Sequence, residues 1–220
     1  MKYGESVFDV VYLLIAIVGG VLILRKSKAP WEKKMGLAVL ILGLGDAFHL
    51  VPRVLHYFIA ADLTAALGVG KLVTSVTMTV FYVFMYHICV EYGGAKEDKR
   101  LTGLVYLLAA IRVVLCLLPQ NRWVQNDSSA LWGALRNIPF VILGGIVMVG
   151  YYRNRNGAPG LKRVWLYILL SFLFYIPVAV FAGLLPILGM LMLPKTVCYI
   201  ALIVVFYRIV YRDPGMNEGR

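Results

Sequence analysis

Charge is scarce in this sequence. Only 15% of its 220 residues are Asp, Glu, Lys or Arg, and the acids number 11 against 22 bases. A chain so poor in charge, 61% hydrophobic and with a mean hydropathy of +0.81, cannot clothe a water-facing surface, which excludes a soluble domain. Cysteine occurs only three times. Cys89, Cys116 and Cys198 all fall inside apolar runs and form no CxxC pair, so they read as small buried hydrophobes and say nothing of the redox compartment. The first apolar run is followed by no small-residue cleavage site and stops at the basic stretch RKSK, which argues for a retained helix rather than a signal peptide. Ser75 and Ser171 lack a Gly-x-Ser-x-Gly context, leaving no serine-nucleophile motif.

What is abundant is apolar sequence in long runs. Seven approach the roughly 20 residues that a transmembrane helix needs: about 7–24, 36–60, 72–92, 102–118, 135–152, 164–184 and 188–210. The runs are continuous rather than alternating, which favours helices over a barrel. The expected architecture is all-α, a polytopic membrane protein built as one seven-helix bundle over residues 1–220. Integral placement in the cell (plasma) membrane follows as the expected location.

Basic residues set the expected orientation. Arg25, Lys26, Lys28, Lys33 and Lys34 follow run 1; Lys96, Lys99 and Arg100 follow run 3; Arg153, Arg155, Lys162 and Arg163 follow run 5; Arg208, Arg212 and Arg220 end the chain. Fifteen of the bases therefore fall on one alternating side, and the opposite connections carry only Arg122. The N-terminus is expected outside and the C-terminus in the cytoplasm. The net charge of +11 is then a topology signal that touches lipid head groups, and no nucleic-acid partner is expected. The connections are short, so a cytoplasmic output would need a partner protein. Pro52, Pro177 and Pro194 each remove a backbone donor and are expected to kink helices 2, 6 and 7. Asn126-Asp127-Ser128 fits an N-glycosylation acceptor on the outer side.

Within run 2, Asp46, His49, Arg53 and His56 stand three, four and three apart, which puts them on one helical face. Ionisable groups cost at least about 2.5 kcal/mol near the bilayer centre and are seldom idle there. Given the expected orientation, other polar residues gather at the same outer level. Lys71 and Ser75 share a face of helix 3 with Tyr82 and Tyr86, and Arg112 lies in helix 4. Arg136 and Asn137 open helix 5, Lys195 and Tyr199 lie in helix 7, and Asp9 and Tyr12 in helix 1. Arg53, Lys71, Arg112, Arg136 and Lys195 outnumber Asp9 and Asp46 by three. A positive surplus of that size in a low-dielectric cavity favours an anion.

The stripe is a poor metal site. His49 and His56 lie roughly 10 Å apart along the axis, whereas ligands must sit about 2 Å from a metal, and Arg53 between them would repel a cation. Two seven-helix families do not fit the sequence. Microbial rhodopsins pair a helix 7 lysine with acids in helix 3, and helix 3 here has none in its core. The ceramidase-like hydrolases need histidines in helix 7, which has none.

The expected site is therefore an outward-facing cationic pocket walled by Asp46, His49, Arg53, Lys71, Ser75, Tyr82, Arg112, Arg136, Asn137, Lys195 and Tyr199. Arg53, Arg112 and Lys195 would hold the anionic group, Asp46 would pair with Lys195 or Arg112, and His49 would confer pH dependence. The expected partners are membrane lipid and a small anion or anionic lipid, bound by a carrier or sensor. No metal or cofactor is assigned. Two alternatives stay open: an intramembrane lipid or phosphoester enzyme using Asp46 and His49, and a structural subunit of a membrane complex.

Overall fold

A computed structural model describes residues 2–181 and 185–211. Seven helices run in order: α1 (Lys2–Lys26), α2 (Pro30–Phe58), α3 (Thr64–Glu91), α4 (Lys99–Leu117), α5 (Ala130–Arg153), α6 (Val164–Phe181) and α7 (Met192–Val210). Each of the seven is part of a segment long and apolar enough to cross a membrane. Outward apolar side chains such as Leu14, Phe48, Leu107 and Leu173 are more than half exposed, as a lipid-facing surface requires.

Contacts between neighbours fix the directions. Glu5 meets Arg53, Tyr12 meets Asp46, and Gly36 lies against Leu24, so α1 and α2 run antiparallel. Thr74 bonds the Gly45 carbonyl while Lys34 pairs with Glu91, which makes α2 and α3 antiparallel too. Gly19 packs on Ile203 and Tyr211 donates to the Leu22 carbonyl, so α7 returns beside α1 in the same direction. The basic connections meet at one end: Tyr92 donates to the Pro159 carbonyl, and Lys26 lies over the Tyr211 ring. At the other end the α2–α3 side meets the α4–α5 connection, where Lys71 bonds Asn126.

The helices start earlier than hydropathy suggests. Helix α3 begins at Thr64 rather than near residue 72, and α5 at Ala130 rather than 135. Ser129 caps α5, its hydroxyl accepting from the Trp132 amide. Lys71 and Arg136 consequently sit about 10 Å inside their helices instead of at the ends. Helix α7 differs in the other direction: residues Pro186–Leu191 form a 3-10 turn and the α-helix starts at Met192. Pro194 thus occupies the first turn, where its missing amide has no helical partner to lose, so the expected kink in helix 7 is not there. Pro52 and Pro177 do lie inside α2 and α6, as does Pro139 in α5. The expected end of helix 6 near Leu184, and Arg212 and Arg220 of the basic tail, lie outside the described residues.

One glycine sets the wall of the site. A Cβ on Gly70 would overlap the Phe48 carbonyl and stand 2.7 Å from the His49 Cα. Only glycine lets α3 press on α2 at this point, one turn from Pro52 in α2 and one from Thr74 in α3.

Candidate functional site

At the end opposite the basic connections, where α2, α4 and α6 finish and α3, α5 and α7 begin, the bundle encloses a cavity of about 690 Å³. Nine of the eleven expected residues line it: Asp46, His49, Arg53, Lys71, Ser75, Arg112, Arg136, Asn137 and Lys195. Tyr82 and Tyr199 do not. They lie beneath the floor in an edge-to-face aromatic cluster, Tyr82 at 5.2 Å from Phe140 and Tyr199 at 6.0 Å from Phe81. Rings stacked this way fill the section below the cavity with apolar carbon. His56 and Asp9 are also absent from the lining.

The charges pair differently from expectation. Asp46 forms no ion pair among the described residues; its Oδ2 accepts from the Tyr12 hydroxyl at 2.6 Å. The α1–α2 register places Tyr12 opposite it, and no cation reaches within ion-pair distance. The same register brings Glu5 onto Arg53, with Tyr57 donating to the other Glu5 oxygen at 3.1 Å. Arg53 is therefore a compensated charge rather than a free anion holder. Asp9 is buried with Oδ2 lacking a partner.

The innermost cations are held by rings instead of acids. Arg112 is 2% exposed, and its guanidinium lies 3.3 Å from the centroid of Phe140. Its Nε and Nη1 have no acceptor. Lys195 stands 4.8 Å from the centroid of Tyr175 and 5.4 Å from that of Tyr199. Phe140 and Tyr175 meet edge-on at 5.8 Å, and Tyr175 donates to Asn137 Oδ1 at 2.7 Å, so one aromatic unit supports both cations. A ring face stabilises a cation without cancelling its charge.

Nearer the mouth, Arg136 Nη1 donates to Asn121 Oδ1 at 2.7 Å and Ser128 Oγ at 2.6 Å, with Trp123 4.6 Å beneath it. Asn121 is fully buried and also donates to the Leu115 and Leu118 carbonyls, closing the end of α4 while it aims Arg136. Lys71 Nζ donates to Asn126 Oδ1 at 2.8 Å.

Set apart the Arg53–Glu5 pair and four cations remain against the single carboxylate of Asp46, a surplus of three. His49 Nδ1 is buried without a partner, and Ser75 donates to its own helix at the Lys71 carbonyl. Among the described residues no three His, Cys, Asp or Glu side chains gather as a metal ion would require. Asn121, Trp123, Ser128, Phe140 and Tyr175 escaped sequence reading. The first three stand in the α4–α5 connection, and the two rings have no sequence signal among so many apolar neighbours. Compared with protein families, curated proteins and solved structures, the chain matches none.

Proposed function

We propose that this integral membrane protein binds an anionic ligand, a small anion or an anionic lipid, in the cavity. The observation that carries the reading is the compensation of Arg112 and Lys195 by aromatic faces. A carboxylate partner would cancel their field; a ring leaves it intact and holds the donors in place. An entering anion would accept from Arg112 and Lys195, which both line the cavity. Asp46, anchored by Tyr12, would keep Lys195 from folding away and could accept from a hydroxyl or amine of the ligand.

By the positive-inside rule the basic end faces the cytoplasm and the cavity opens outward, in the plasma membrane or its equivalent. The aromatic cluster of Tyr82, Phe140 and Phe172 lies in the way of an inward route, with ring centroids 5.2 and 5.4 Å apart. That favours a sensor, or a carrier in its outward-open form, with any cytoplasmic signal passed to a partner protein. The enzyme reading receives less support, because His49 is hydrogen-bonded to neither Asp46 nor Ser75. A structural subunit has no use for a cavity of this size.

Trp123 lines the cavity against Arg136, so tryptophan fluorescence reports on it. Titrating detergent-solubilised protein with inorganic phosphate at constant ionic strength should give a saturable change, lost in Lys195→Met and in Trp123→Phe. No saturable response to phosphate, sulfate, citrate or an anionic lipid would overturn the proposal.

A further inference from the structure

The cavity wall is lopsided. On the side of α3, α5 and the α4–α5 connection it presents Lys71, Arg136, Asn126 and Ser128. On the side of α6 and the start of α7 it presents Val178, Ala179, Val180 and Met192. This apolar side runs on to the outer surface of the bundle, where Ile176 is 38%, Val180 52% and Met190 48% exposed. Between the cavity interior and the lipid-facing surface, Val178, Val180 and Met192 offer carbon where Lys71 and Arg136 opposite offer charge.

We infer that the ligand is a lipid phosphomonoester, its phosphate held by Arg112 and Lys195 and its acyl chain passing between Val178 of α6 and Met192 of α7 into the bilayer. The inference rests on the anion-site reading above and adds the class of anion and its way in. Charge argues for the monoester. A surplus of three cations is matched best by a group carrying about −1.5 to −2, and a phosphodiester or a fatty acid brings only one charge. Geometry agrees: a terminal phosphate turns three oxygens toward separate donors, and the cavity is lined by both Arg112 and Lys195, each resting on an aromatic ring. Size argues for an attached body. At about 690 Å³ the cavity falls among pockets that take organic ligands of about 300–1,000 Å³, and a bare phosphate would leave the apolar side unfilled.

The test compares three probes on the detergent-solubilised full chain by tryptophan fluorescence and thermal shift: dioctanoyl phosphatidic acid, glycerol 3-phosphate and dioctanoyl phosphatidylcholine. Phosphatidic acid should bind at least about tenfold more tightly than glycerol 3-phosphate, and phosphatidylcholine should not saturate the signal. Val180→Asn, at an exposed position that folding should tolerate, and Met192→Gln should each narrow the first ratio to below about threefold. Equal affinity for phosphatidic acid and glycerol 3-phosphate would remove the lipid and leave the anion site standing. Phosphatidylcholine binding as tightly as phosphatidic acid would remove the monoester. Failure of every anionic probe would remove both this inference and the reading beneath it.

Discussion

Replacing Arg112 with methionine should stabilise the protein and abolish its anion affinity. The side chain is 2% exposed, with Nε and Nη1 lacking acceptors. A buried unsatisfied donor costs about 1–3 kcal/mol, so the two cost roughly 2–6 kcal/mol together. Stacking on Phe140 at 3.3 Å returns about 2 kcal/mol for a desolvated cation. Methionine has similar reach, no charge and enough flexibility to fill the space. The net gain for the ligand-free protein is then on the order of 2 kcal/mol. For a chain of this length about 1 kcal/mol moves Tm by about 2–4 °C, so the midpoint should rise by about 4–8 °C. In the complex, two charge-assisted hydrogen bonds at about 1.5–3 kcal/mol each disappear, which lowers affinity on the order of 100-fold or more. Thermal melts of wild type, Arg112→Met and Arg112→Lys in one detergent, with and without phosphate, read both effects. A midpoint several degrees lower in Arg112→Met would refute the reasoning, since the guanidinium would then be holding helices together rather than awaiting a partner.

Other outcomes follow from the same geometry. Arg53→Gln leaves Glu5 unpaired and should weaken anion binding, though far less than Arg112→Met, because the lost charge was already paired and partly exposed. Glu5→Gln should tighten binding by freeing Arg53, and a double-mutant cycle on this partly exposed pair should give at most about 1 kcal/mol of coupling; a large affinity loss in Arg53→Gln contradicts the assignment. Tyr12→Phe removes the 2.6 Å bond to Asp46 and should cost about 1.5–3 kcal/mol of stability, while the released carboxylate turns to Lys195 and weakens anion binding. An unchanged melt in Tyr12→Phe would show that Asp46 finds another donor. Gly70→Ala drives a methyl into the α2 backbone and should lower Tm, by about 2–4 °C for each of roughly 1–3 kcal/mol of overpacking. Since the three native cysteines are buried, Val124→Cys should react with an impermeant maleimide on intact cells and Asn156→Cys should not. The reverse labelling pattern would invert the orientation.

Much of the bundle was legible because bilayer thickness demands long apolar runs, and these need no tertiary information to recognise. The ends were less so. Hydropathy fades where polar residues enter a helix, so it puts Lys71 and Arg136 at helix ends although α3 and α5 extend about two turns beyond them. Pro194 looks like a kink because nothing in the sequence marks a 3-10 turn before Met192.

Within the site, the sequence determined which ionisable residues share a helical face and which end of the bundle they occupy, since both follow from the 3.6-residue period and the alternation of spans. Nine cavity residues were identifiable on that basis. Partners were not, because pairing depends on the register between helices. A shift of one turn in α1 against α2 would take Glu5 from Arg53 and Tyr12 from Asp46, and no helical period encodes that offset. The register of α1 on α2, through close contacts such as Gly36 on Leu24, decided that Arg53 is neutralised. The packing of Phe140 and Tyr175 decided that Arg112 and Lys195 rest on rings and keep their charge available to an anion.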